Sequence, residues 1–110
     1  MIIQAYICGP YTAPTEAERM LNIQKALDAA SMLILRGYAP IVPHVAVGHN
    51  LAWESAMEQC RRLIQNLIPG RDLVVLIPGW ERSRGSKQER ELALRLGIRI
   101  VDFEYLVCKK

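Results

Sequence analysis

The stretch "LIPGWERSRGSKQERE", residues 76–91, holds the residues best suited to chemistry. If a helix begins near Ser86, then Leu92, Ala93 and Leu96 follow Glu89 at i+3, i+4 and i+7. That spacing puts the Glu89 carboxylate on an apolar helix face, a costly position unless something pairs with it. One reading is a carboxylate held there to react. The other is a cap: Ser86-Lys87-Gln88-Glu89 matches S-x-x-E, in which Glu89 bonds back to the Ser86 amide. Both can hold, because a capping contact also orients a carboxylate. Glu91 and Arg95, four apart, read instead as a solvated pair.

The loop before Glu89 carries Ser83, Arg84, Gly85 and Ser86, flanked by Arg82, Lys87 and Arg90. Glycine lets backbone approach a ligand closely, and helix N-terminal amides favour anions. Serine hydroxyls and arginines suit phosphate. No G-x-x-x-x-G-K-[ST] motif and no acidic magnesium cluster occurs, and an exposed basic loop is the plainer reading. Upstream, "YICGPYT" offers Tyr6, Gly9 and Tyr11, with Tyr6 either lining a pocket or joining the core. His44 follows the second apolar run, as a plain loop residue or as part of the same rim.

The elements that must position these residues follow from apolar periodicity. "IIQAYI" (2–7) reads as a buried strand stopped at Cys8-Gly9-Pro10. Thr15 and Glu18 form a capping box. The helix that follows shows Met20, Ile23, Leu27, Ala30 and Ile34 on one face and closes at Gly37. "YAPIVP" (38–43) is a second strand, and "HVAVGHN" a loop ending in a cap at Asn50. Segment 51–67 is helical, with Trp53, Met57, Cys60, Ile64 and Leu67 on one side, and Pro69-Gly70 ends it. "DLVVLI" (72–77) is apolar throughout, so it predicts a central parallel strand. Residues 86–96 form a third helix, and "GIRIVDF" an edge strand with a short helical tail. The β-α-β-α-β-α-β order predicts a three-layer α/β/α domain over residues 1–110, with a four- to five-stranded parallel sheet of flavodoxin/Rossmann-like type. Ligands of such sheets bind beyond the carboxyl ends of the strands, here the loops after Ile7, Val42 and Ile77.

Bulk properties bound the rest. A chain of 110 residues supports one core, and 51% hydrophobic with 23% charged residues reads as a soluble globular protein. No apolar run approaches the ~20 residues of a membrane span, and the N-terminus shows no targeting signature, which predicts a cytoplasmic protein without membrane partners. Cys8, Cys60 and Cys108 have no metal spacing, and His44 and His49 lack a cysteine pair, so no metal site is expected. The net charge of +3 does not argue for a nucleic-acid polymer as partner.

Taken together, these residues resemble the nucleoside 2-deoxyribosyltransferase-like superfamily, which includes nucleoside 5'-monophosphate N-glycosidases and small uncharacterised bacterial and phage proteins. "AYICGP" looks like that group's opening strand and turn, and "GYAPIVPHV" like its second strand with a histidine. "DLVVLIPGWERSRGSKQERELALRLGIRI" carries its (S/D)-x-G-x-x-x-E pattern. The resemblance implies Glu89 as nucleophile at the anomeric carbon of a small-molecule nucleoside or nucleotide. It implies Ser83 at the sugar's 5' side, as in monophosphate-handling members, with Gly85 in the motif and Tyr6, Gly9 and His44 near the ligand. A glycosyl-enzyme ester would be resolved by water or by another base, without metal or organic cofactor. The position just inside a helix N-terminus is expected to keep Glu89 ionised. A homo-oligomer is expected too.

The sequence also departs from that pattern. Pro10 and Thr12 stand where related glycosidases place a serine and an arginine for phosphate, leaving Arg19, Arg82 or Arg84 as substitutes. The aspartate expected to protonate the leaving base has Cys60 and Arg61 at its register, with Glu54 and Glu58 as alternatives outside the motif. Losing a general acid costs about 10²–10⁴-fold. Asp72 begins its strand at the opposite end of the sheet and reads as structural. A non-catalytic nucleotide-binding sensor or adaptor on the same fold is therefore the alternative expectation.

Overall fold

Four short apolar strands pair side by side, all parallel, in the order β2-β1-β3-β4. They are β1 (Gln4–Cys8), β2 (Ala39–Ile41), β3 (Leu73–Leu76) and β4 (Arg99–Asp102). The helices are α1 (Glu16–Leu35), α2 (Pro43–Ala46), α3 (Trp53–Gln65), α4 (Arg84–Arg95) and α5 (Phe103–Val107). This is a computed structural model, and it describes residues 1–47 and 51–107. The expected cap at Asn50, together with His49 and Cys108, lies outside the described residues.

Strand side chains alternate between faces, and both faces of this sheet are covered. Ala5, Ile7, Leu73 and Val75 pack with Ala26, Ala29, Ala30 and Leu33 of α1 and with Phe103 and Leu106 of α5. Tyr6, Cys8, Val74 and Leu76 point the other way, onto Cys60 and Ile64 of α3 and Ala93 of α4. Two-sided burial is why these strands read as unbroken apolar runs. The three-layer α/β/α, Rossmann-like fold is as expected, with four strands. Among the described residues, no helix is long and apolar enough to cross a membrane.

Strand order reverses between β1 and β3, since the chain steps from β1 outward to β2 and then returns past it to β3. The register pairs Cys8 with Leu76 at the carboxyl ends of these two strands. The loops leaving them therefore part at one point and open a crevice there. Gly9 makes this tight: a Cβ at that position would collide with the Ile77 side chain. At the other end of the sheet, the Asp72 carboxylate accepts from the Gln4 and Ile68 amides at 3.0 and 2.8 Å and from Arg71. Arg71 first, then those amides, hold its pKa down at about 2. Asp72 ties strand starts together and is structural.

Three expectations are corrected. Of the α1 face named from the sequence, only Ala30 is buried: Met20 and Ile34 are 53% and 58% exposed, and Ala30 is joined in the core by Ala26, Ala29 and Leu33. Small alanines let the helix lie close to the sheet, and the bulkier residues are displaced to its flank. Pro43, expected to end the second strand, and 44–46, expected as loop, form the short helix α2, with Pro43 at its first turn, where a missing N–H costs nothing. Helix α4 spans Arg84–Arg95, so it begins two residues before the expected start at 86.

Candidate functional site

The start of α4 decides between the two readings of Glu89. Ser83 is the N-cap: its hydroxyl accepts from the Ser86 amide at 3.1 Å. Ser86 is therefore inside the helix and caps nothing, so the S-x-x-E reading is set aside. Glu89 becomes the sixth helical residue, more than a turn from the end, and it turns inward at 6% exposure.

The carboxylate is held from the sheet side. Tyr6 Oη donates to Glu89 Oε2 at 2.9 Å, and the Cys8 thiol lies 3.4 Å from Oε1 while also reaching the Ser86 carbonyl. Tyr6 and Cys8 alternate with Ile7 along β1, so both face α4. The Cys60 thiol of α3 flanks the same carboxylate. No Lys or Arg forms a salt bridge with Glu89 among the described residues. Burial raises the Glu89 pKa, and the bonds from Tyr6, Cys60 and Cys8 oppose the rise. The field of the helix N-terminus fades within the first turn, so at Glu89, more than a turn inside, desolvation sets the direction of the shift. Burial likewise pushes the Tyr6 hydroxyl and Cys8 thiol up, and takes Cys60 to about 12, with the Glu89 charge adding to each. All three stay protonated at neutral pH and act as donors.

Glu89 forms part of the wall of a cleft of about 660 Å³ at the carboxyl ends of β1 and β3. Ligand pockets commonly span 300–1,000 Å³. Of the residues singled out in the sequence, Gly9, His44, Ser83, Gly85 and Glu89 line it together. Tyr6 does not reach the wall; it is fully buried one layer behind, against Glu89. Gly85 has a packing reason as well, since a Cβ there would meet Met57 Sδ of α3 at 3.1 Å.

The cleft lining combines apolar side chains, Pro43, Val47, Leu51 and Met57, with the basic Arg19, Arg82 and Arg84. The Arg84 guanidinium stacks 4.3 Å above the Trp53 ring, which holds a cation in place at the rim. Arg19 is tied to Glu16 and reaches the Tyr11 hydroxyl. Tyr11 meets the His44 ring edge-on at 6.1 Å. His44 Nε2 lies 3.1 Å from the Pro10 carbonyl, and burial lowers its pKa against bonds that favour the charged form. The imidazole is therefore neutral at neutral pH.

Ser86 and Arg84, from the loop read as suited to phosphate, line the cleft too, and Cys60 and Trp53 join it without having been singled out as ligand residues. Cys60 was visible as an apolar α3 position, but nothing local indicates that it meets Glu89. Among the described residues lining the cleft, Glu89 is the one carboxylate. Glu58 is engaged by Arg61 and Arg62, and Glu54 is exposed. No cluster of three or more His, Cys, Asp or Glu suited to a metal ion occurs among the described residues.

Fold and site together define a doubly wound α/β/α domain with a buried, uncapped carboxylate in its switch-point cleft. The sequence matches the domain of unknown function DUF4406 over residues 3–102, and the chain belongs to that family. No curated protein matches it.

Proposed function

We propose that the protein binds a nucleoside or nucleoside 5'-monophosphate and cleaves or transfers its glycosyl group, as an N-glycosidase or 2-deoxyribosyltransferase-like enzyme. The observation that carries this is Glu89: a carboxylate buried without a cation, opening on a cleft, with three donors at its back. A group kept at such cost serves the ligand rather than the fold. The donors steady its orientation while one oxygen attacks the anomeric carbon, and the base departs from the opposite face. The ester so formed passes its glycosyl group to water or to a second base. Ser83, Arg82 and Arg84 suit the 5'-phosphate, and Pro43, Val47 and Leu51 suit the base.

A second reading has its own support. Among the described residues, the cleft lining holds no second carboxylate to protonate the leaving base. That favours a nucleotide-binding sensor or adaptor on the same fold. Incubation with a panel of nucleosides and 5'-monophosphates, followed by chromatography for free base, separates the two. Release supports the enzyme; calorimetric binding with no release supports the sensor.

We also propose that the chain works as a homo-oligomer. Helix α1 leaves Met20, Leu21, Leu27, Met32, Ile34 and Leu35 exposed on several sides. A helix apolar nearly all round is normally covered.

A further inference from the structure

Two buried polar atoms in the cleft wall have no role so far. His44 is 8% exposed and Ser86 2%, and both line the cleft. Neither His44 Nδ1 nor Ser86 Oγ has a hydrogen-bond partner. Buried polar atoms are almost always paired, so two open ones on a single cleft indicate where ligand atoms complete the bonds.

The chemistry each atom demands can be worked out. His44 Nε2 faces the Pro10 carbonyl at 3.1 Å. A carbonyl only accepts, so Nε2 carries the ring proton and Nδ1 presents a lone pair. Nδ1 needs a ligand donor. In Ser86, the amide is taken by the Ser83 hydroxyl and the carbonyl by the Cys8 thiol, which leaves the side-chain hydroxyl free for the ligand. Ser86 lies three residues before Glu89 in α4, on the same helix face.

We propose that Ser86 and His44 bind two neighbouring ring hydroxyls of the sugar, so that the cleft selects a ribosyl ligand over its 2-deoxyribosyl counterpart. This rests on the glycosyl reading of Glu89 given above. The carbon that Glu89 attacks is bonded to C2, so the C2 hydroxyl falls to Ser86, the neighbour of Glu89. The C3 hydroxyl then falls to His44 Nδ1. A ribose 5-phosphate unit satisfies both atoms. A 2-deoxyribose 5-phosphate unit has one such hydroxyl and leaves a buried group unpaired after cleft water has been displaced. An amino group on the base would also serve His44, but it would leave Ser86 without a partner. Sites built to bond a hydroxyl reject the analogue that lacks it.

The test is calorimetric titration of the full chain with ribose 5-phosphate and with 2-deoxyribose 5-phosphate, which requires no turnover. The wild type binds the ribose compound tighter by about tenfold or more. Ser86→Ala, with its fold checked by circular dichroism, brings the two affinities close together. Equal affinities in the wild type, or a preference that Ser86→Ala leaves unchanged, overturn this proposal while the glycosyl reading stands. If neither sugar phosphate binds, this proposal is overturned, and the glycosyl reading falls with it only when the nucleotide panel also releases no base.

Discussion

Replacing Tyr6 with phenylalanine removes one oxygen from a fully buried ring and leaves its packing in place. That oxygen donates to Glu89 Oε2 at 2.9 Å, and it is first among the contacts holding the Glu89 pKa down against burial. A hydrogen bond to a charged group contributes about 1.5–3 kcal/mol. Without it the carboxylate titrates still higher in the folded protein. The sign follows from linkage. A carboxyl with a raised folded pKa costs no stability below its unfolded value, and the cost grows as pH rises through the folded value. Tyr6→Phe is therefore destabilising by about 2 kcal/mol at pH 8 and by clearly less at pH 4.5. Urea unfolding followed by circular dichroism reads this as a midpoint lowered by about 1 M at the higher pH. An equal loss at both values, or none, would refute the claim that Tyr6 stabilises the ionised form of Glu89.

Related perturbations test neighbouring parts of the account. Glu89→Gln removes the buried charge, so it melts above the wild type at pH 8 by differential scanning calorimetry, and the gap closes as pH falls below the ordinary glutamate range. Asp72 behaves in the opposite sense: its pKa of about 2 confers about 2 kcal/mol that is present above pH 4 and lost as pH falls through 2, and Asp72→Asn abolishes this acid dependence in urea titrations. Cys60→Asp supplies a second carboxyl, which the described cleft lining lacks, as proton donor to the base; base release from the best nucleotide substrate rises at least about tenfold by chromatography. Ile34→Glu, on the exposed flank of α1, shifts sedimentation toward the monomer while circular dichroism stays unchanged.

How much of this was legible depends on where each residue's reasons lie. Strands covered on both sides must be apolar at every position, so "DLVVLI" disclosed a central parallel strand directly. The face of α3 was equally plain, because Met57, Cys60 and Ile64 follow the helical period and are buried, although the helix spans 53–65 rather than 51–67 and Leu67 is buried just past its end. Helix α1 misled because large apolar residues occur around most of its circumference, whereas its contact with the sheet is made through three alanines and Leu33. Close approach, not size, chose that face. The cap of α4 was ambiguous for a different reason: Ser83 and Ser86 each precede a helical stretch, and only the tertiary position of Ser83 resolves which one caps. That three-residue difference turns Glu89 from a cap into a cleft carboxylate. Tyr6 and Glu89 are 83 positions apart, and Cys8 and Glu89 81 apart, so no local pattern shows that they meet.

The glycosyl chemistry assigned to Glu89 is tested most directly by kcat/KM for base release from the best substrate of the nucleotide panel, measured for the wild type and for Glu89→Gln. The account predicts a fall of about 10³-fold or more in the variant, with binding and fold retained. A variant that releases base at the wild-type rate would contradict it.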